Sequence, residues 1–362
     1  MDTKRPRLVD VAKAAGVATN TASMILNERA NCWASEATRT RVLEEASRLG
    51  YRPNRIALAV KRRRFDTIGL IVPDLNNPFF MSLADQLEIA AEARGCDLII
   101  EHSRVDLLRE AKCLESIMDR QVDGIIACLI DPQVHADLLK SHLKYGIPTV
   151  VAGQRGPLKL PVDLVTVDFE GGLGQALSYL RRTGHSRVGF ITALAENQAD
   201  NGRQEIFLSV ARSLGFDEKN LHVEPSDHSM MGAKKAFHRL IESQRDKPLT
   251  AVIGLNDLCG LGALRGAHDA GLQVPRDLSI IGVDDIALCQ LMNPSLTSIA
   301  QPIGEISQCA LDMLFARIEK KIKEGPREMV LSSKLVLRES TGPVLGKGES
   351  ISHLDPPGRL PS

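Results

Sequence analysis

From residue 66 onward the chain alternates unbroken apolar runs with stretches of helical periodicity, and this restricts its folds more than any other feature. The runs are TIGLIV (67–72), DLIIE (97–101), GIIACLI (124–130), PTVVAG (148–153), LVTVD (164–168), RVGFIT (187–192), TAVIGL (250–255) and SIIGV (279–283). A strand that is apolar on both faces must be covered on both faces. With helices between the strands, that means parallel sheets in an α/β arrangement. A chain of 362 residues is too long for one ordinary domain. Its length and strand spacing fit two sheets of about five or six strands each. Doubly wound sheets bind ligands at the carboxyl ends of their strands. A pocket is therefore expected at the loops after residues 72, 128, 152, 192, 255 and 283.

Those loops carry polar and aromatic groups. Asn77, Pro78, Phe79 and Phe80 follow the first run, Arg203 comes after the sixth, and Asn256 with Asp257 follows TAVIGL. Asp284 and Asp285 follow SIIGV. An Arg, an Asn and an Asp facing aromatic walls suit a polar, ring-shaped ligand. Asp257 and Asp285 are expected to make structural hydrogen bonds or helix caps.

The net charge of zero conceals an asymmetry. Residues 1–64 carry a charge of +8 and the remainder −8. A small basic head on an acidic body suggests a polyanion-binding module attached to something else. In the head, Leu8, Val11, Ala12 and Ala15 recur at helical spacing until Gly16 breaks the run. A second helix is expected over about 19–27, with Ala22, Ile25 and Leu26 on its apolar side. Two short helices joined by a tight turn describe a helix-turn-helix, and the short polar side chains opening the second suit a recognition helix. A third helix is expected over roughly 35–49, between a Ser35 cap and a Gly50 stop, burying Val42, Leu43, Ala46 and Leu49.

The order of these motifs is specific. VDVAKAAGVATNTASMILN, SEATRTRVLEEASRLGYRPNRIA, TIGLIVPDLNNPFF, LNDLCGLGALRGAHDAGLQVPRDLSIIGVDDI, LTSIAQP and VLRESTG follow one another along about 340 residues. In that series the chain resembles the LacI/GalR family of bacterial transcription regulators. The resemblance implies an α/β fold: an all-α helix-turn-helix headpiece (1–52), a hinge (53–65), and a two-subdomain periplasmic-binding-protein-like body of parallel sheets (66–342). The subdomains are expected at 66–162 with 293–325, and at 163–292 with 326–342. The chain would cross near 162–166, 290–295 and 322–328.

By the same resemblance, Thr19, Asn20 and Met24 lie where base-reading side chains sit. Thr21, Ser23, Asn27, Thr38 and Asn54 lie where phosphates or bases are touched. Ala57 and Val60 belong to a hinge helix inserted in the minor groove, with Val60 at the wedge position. Lys61 and Arg62 to Arg64 would grip phosphates. Arg203, Asn256 and Asp284 are the implied effector contacts, with Phe79, Phe80 and His228 as walls. The implied partners are an operator in double-stranded DNA, a sugar-like effector and a second copy of the chain.

The sequence departs from the family pattern in several places. Ala18 stands at the recognition-helix cap, where Thr19 is expected to substitute, and Met24 replaces a common Arg. The 28–34 loop is long and carries Trp33, expected to pack over the third helix. Val60 stands where leucine is usual, Gly153 where an Asp often binds ligand hydroxyls (with Gln154 the nearest polar group), and Ile206 where Gly is common.

Two other functions compete with a ligand-controlled repressor. A secreted solute-binding protein would need a leader, but MDTKRPR has no apolar stretch behind it. An enzyme would need a nucleophile–base pair, a phosphate loop or metal-ligand spacing, and none is found. The seven cysteines are scattered and never spaced C-x-x-C, as in a reducing compartment. No apolar run approaches the roughly 18–20 residues of a membrane span. The expectation is a cytoplasmic, nucleoid-associated regulator without cofactor, metal or membrane. Residues 343–362, rich in Gly, Pro and Ser, are expected to be disordered.

Overall fold

The computed structural model describes residues 6–27, 32–52, 64–154, 161–193, 202–227, 229–322 and 325–344. Asn54, Ala57, Val60 and His228 lie outside the described residues, as does everything after 344. The chain divides into two compact units, Met1–Phe65 and Asp66–Ser362.

Among its described residues the first unit holds three helices, α1 (Leu8–Ala14), α2 (Thr19–Leu26) and α3 (Glu36–Arg48), each in contact with the other two. Val11, Ala12, Ala15, Ala22, Ile25, Cys32, Val42 and Ala46 form its core. Arg41 Nε donates to the Ala15 carbonyl (2.9 Å), tying the α1–α2 turn to α3. Ser35 caps α3 by accepting from the Thr38 amide. Three expectations fail here. Leu43 is 54% exposed, because it sits one position off the Val42–Ala46 stripe that faces the core. Trp33 is fully exposed rather than packed on α3, since neighbouring Cys32 and Ala34 take the core positions. Thr19 does not cap α2: the cap position is Ala18, which has no side-chain hydrogen bond to give.

The second unit is built on two six-stranded sheets. The first has strand order β11-β5-β4-β3-β1-β2, all pairs parallel. Its strands are β1 (Thr67–Val72), β2 (Asp97–His102), β3 (Gly124–Ala127), β4 (Thr149–Gln154), β5 (Asp163–Asp168) and β11 (Glu328–Ser332). The second has order β12-β10-β9-β8-β6-β7. It contains β6 (Val188–Ala193), β7 (Leu221–Ser226), β8 (Ala251–Gly254), β9 (Ser279–Asp284), β10 (Thr297–Ala300) and β12 (Lys334–Val336). Among the described residues, only the β10–β12 pair is antiparallel.

Strand alternation sorts the core of the first sheet. Ile68, Leu70 and Val72 face α4 (Pro78–Glu92) and the helix Ile303–Ile318. Ile71, Ile125, Ala127 and Val151 face Leu107–Asp119 and Ala136–Lys144. Both faces are covered, as unbroken apolar runs require.

The chain passes between the sheets three times, each time leaving the carboxyl end of a strand: after Asp168, after Ala300 and at Ser333. These points correct the expected crossings near 162–166, 290–295 and 322–328. LVTVD belongs wholly to the first sheet, because β5 pairs in register with both β4 and β11. Residues 297–300 belong to the second sheet and 328–332 to the first. Val344, within the 343–362 tail expected to be disordered, still donates its amide to the Thr183 carbonyl (2.9 Å).

Asp163, at the start of β5, locks the second crossing where it enters β11. Its buried carboxylate accepts from Arg317 Nη2 (2.7 Å), Arg327 Nη2 (2.6 Å) and the Arg327 amide (2.9 Å). Burial pushes this carboxyl up, but the two guanidiniums overcome it and hold the group below the usual aspartate range. Asp163→Ala removes the carboxylate that both guanidiniums share, so urea unfolding of the full chain is expected to show about 3 kcal/mol less stability.

Candidate functional site

The carboxyl ends of both sheets face one cleft, about 1160 Å³ with its open mouth included. From the first sheet it is lined by Pro73, Cys128, Ala152, Gly153 and Val167, and from the second by Leu255, Asn256, Val283 and Asp284. Phe169, Gln301 and Ser333, which stand at the three crossings, also line it. Phe79 and Phe80 meet edge to face, centroids 5.2 Å apart, on the first turn of α4. That helix is started by Asn77, whose Oδ1 accepts from the Phe79 amide (3.0 Å).

Arg203 opens the helix Arg203–Ser213. Its guanidinium lies 4.8 Å from the Phe169 ring centroid and donates through Nη1 to the Leu255 carbonyl (2.9 Å). The cation is thereby stacked and aimed, an arrangement that suits Arg better than Lys. Asn256 caps the helix Asp257–Asp269 by accepting from the Cys259 amide (2.9 Å).

Asp284 ends β9 and is buried. Its Oδ1 accepts from Gln301 Nε2 (2.6 Å), and the Asn77 side chain also donates to it. Burial, and next the neighbouring Asp257 charge, push its carboxyl well above the usual aspartate range, against the opposing pull of Arg203. The backbone there is strained: φ is +116° at Asp284 and +60° at Asp285, both non-glycine residues in the left-handed region. Each such residue costs on the order of 1–3 kcal/mol and persists only where the surroundings over-determine it. Gly153 has φ +146°, a conformation that L side chains rarely adopt.

The structure thus brings together Phe79, Phe80, Arg203, Asn256 and Asp284. Asp257 and Asp285 do not line the cleft; Asp285 pairs with Arg338 (2.6 Å) and Asp257 is buried behind the β9 turn. Sequence reasoning missed Phe169, Gln301 and Ser333. Gln301 was legible as part of LTSIAQP, but the other two become functional only through the crossings. In the head, Thr19 and Asn20 stand exposed on the first turn of α2. Thr21, Ser23 and Met24 are half-buried, and so is Thr38, whose hydroxyl lies 3.0 Å from Ser35 Oγ. Asn27 turns back on its own helix, donating to the Ser23 carbonyl (2.6 Å). Among the described residues there is no helix long and apolar enough to cross a membrane, and no group of three or more His, Cys, Asp or Glu that could hold a metal.

A helix-turn-helix head followed by a two-lobed ligand-binding body defines a class: DNA-binding transcriptional regulators with a periplasmic-binding-protein-like domain. Residues 7–54 match the family described as bacterial regulatory proteins, lacI family, and residues 177–341 match the periplasmic binding protein-like domain. The HTH-type transcriptional regulator DegA of Bacillus subtilis (strain 168) is 30% identical over 338 residues, 93% of this chain and 98% of that protein. A LacI family regulator from Enterococcus faecium, solved with bound ribose, is 31% identical with TM-score 0.66, covering 77% of this chain and all of its own. The lac repressor dimer bound to operator and anti-inducer shares the fold, with TM-score 0.81 at 21% identity over 93% of this chain and 99% of that one. The chain belongs to the LacI family of bacterial transcriptional regulators, and its relatives are regulators rather than enzymes.

The electrostatics of Asp284 can be tested directly. A carboxyl whose folded value is raised contributes stability that is full below the unfolded value, about 3.9, and is lost as pH rises through the raised one. Asp284→Asn removes that dependence. Its stability relative to wild type is expected to be higher at pH 8 than at pH 5, by about 1–3 kcal/mol in urea unfolding.

Proposed function

We propose that this regulator is a repressor of carbohydrate-related genes that binds a pseudo-palindromic operator as a two-fold dimer and changes its DNA affinity when a sugar-like effector fills the cleft. One observation carries the effector half of the reading. Arg203 at a helix start, Asn256 at a helix cap and Asp284 at the end of β9 line one cleft with Phe79 and Phe80 of α4. Charged and amide groups set against aromatic faces match a ring with hydroxyls on its edge and C–H groups on its face. The ribose bound by the Enterococcus faecium relative supports the same class of ligand. His228 would complete the wall, and a cytoplasmic location follows from the role.

The DNA half rests on the exposed opening turn of α2. Asn20 can make a two-point hydrogen bond to an adenine edge in the major groove. Thr19, Thr21, Ser23, Met24, Asn27 and Thr38 complete the surface of the head, and Asn54, Ala57 and Val60 would contribute from the hinge. One head per chain reads one half-site, so a dimer requires a two-fold related pair of half-sites.

Two measurements test this. Thermal melting of the full chain against a panel of pentoses, hexoses, disaccharides, sugar phosphates and nucleosides is expected to find a stabilising ligand. A ligand present at about 1,000 times its dissociation constant adds about 4 kcal/mol. Arg203→Ala is expected to abolish that shift while the unliganded melting point changes little; a full response in the variant removes Arg203 from the site. For DNA, Asn20→Ala is expected to lose about 1–3 kcal/mol on the selected operator and to stop discriminating at one base pair per half-site. Equal weakening on every operator variant would make Asn20 a phosphate contact instead.

A further inference from the structure

The turn that presents Asp284 is held in an unfavourable backbone conformation by a carboxylate that does not itself reach the cleft. We propose that Asp257 is a positioning residue for effector recognition, fixing the Asp284–Ile286 turn through both of its oxygens so that Asp284 points into the cleft. This deepens, and rests on, the reading of the cleft as an effector site.

The observations are geometric. Asp257 Oδ2 accepts the Ile286 amide (2.8 Å), and Oδ1 accepts the Ser298 hydroxyl (2.6 Å). Ser298 Oγ in turn accepts the Asp285 amide (3.0 Å). The two amides that follow Asp284 are therefore both claimed by one buried carboxylate, one directly and one through a hydroxyl. No strand partner takes them, because β9 ends at Asp284. Left-handed backbone at two successive non-glycine residues needs such external determination.

The fold makes room for this contact. A Cβ at Gly282 would stand 2.2 Å from Asp257 Oδ1, so β9 carries a glycine where the carboxylate passes beneath it. Asp257 is also the first residue of the helix Asp257–Asp269, where the helix dipole favours a negative charge.

The chemistry of the group argues in the same direction. Burial pushes the Asp257 carboxyl up, and nearby Asp285 adds to this, while Ser298, Ile286 and Cys289 oppose it by hydrogen bonding. A second acid in reach of Asp284 is a poor choice for packing alone. An asparagine of the same shape keeps the Ile286 amide only by turning its NH₂ to Ser298, whose hydroxyl then has to accept from residue 257 rather than donate to it. Only a carboxylate accepts on both atoms. Asp285 is removed from the competition by Arg338, which draws its side chain away.

The test uses the full chain as Asp257→Ala, which removes both acceptors, and, as a milder variant that keeps the carboxylate, Ser298→Ala. Hydrogen exchange is read at Asp285, Ile286 and the β9 interior. Asp257→Ala is expected to speed exchange at Asp285 and Ile286 by about 100-fold while Ile280 and Ile281 keep their protection, a local opening rather than a global one. Ser298→Ala is expected to release Asp285 alone. Uniform loss across the second sheet in the milder variant, or retained protection at Ile286 in Asp257→Ala, overturns the proposal.

A second arm measures affinity for the tightest wild-type ligand among D-ribose, D-glucose, cellobiose and uridine. Asp257→Ala is expected to bind it at least about tenfold more weakly, and Ser298→Ala, which keeps the carboxylate, to lose less. Unchanged affinity overturns the proposal. If none of the four binds wild type, the effector reading fails for these compounds, while the exchange arm still decides whether Asp257 holds the turn.

Discussion

A parallel strand cannot be followed directly by its neighbour; the chain must return across a face of the sheet before the next strand can start. In the body of this protein that rule is obeyed within each sheet, and three times the return leads to the other sheet instead. All three departures leave carboxyl ends: Asp168, Ala300 and Ser332. Consequently the connecting residues lie where the loops of both sheets converge, and Phe169, Gln301 and Ser333 are at once connections and cleft lining. The cleft is a product of chain connectivity before it is a product of side chains.

What fills it is expensive. Asp284 is buried with its carboxyl pushed up by desolvation and by Asp257, on a backbone that two left-handed residues strain. Arg203 is stacked on Phe169 and tied to the Leu255 carbonyl. Such groups are retained where a polar ligand must be recognised, because a site lined with them rejects any partner that leaves them unpaired. The rest of the second sheet stabilises the arrangement with fully apolar strands and a helix, Asp257–Asp269, that is buried along almost its whole length.

The degree to which this was legible varied with the element. The eight apolar runs are all strands, five in the first sheet and three in the second. The strands that escaped notice were β7, β10, β11 and β12. β7, β11 and β12 lie at sheet edges, where one flank is solvated and polar residues interrupt the pattern: LHVEPS, EMVLS and KLV. β10, TSIA, is central, but two of its four residues are polar, so it does not read as an apolar run. In the head the helix positions were readable from periodicity, whereas the exposure of Trp33 and Leu43 was not. An apolar residue one step off a buried stripe has the same composition as one on it.

The sequence by itself determined the class of fold, the basic head and acidic body, and the residues Phe79, Phe80, Arg203, Asn256 and Asp284. Fold class and charge follow from local pattern, and the strand ends point to these loops; the choice of these five over Asp257 and Asp285 is what the family resemblance implied. Only the tertiary structure decided which sheet owns LVTVD, where the chain crosses, and what stands behind Asp284. Those depend on pairing in register and on contacts such as Asp257 to Ser298 or Asp163 to Arg327, between residues far apart in the chain. Neither residue type nor spacing encodes such contacts, because hydrogen bonding is settled by distance and angle after the strands have assembled.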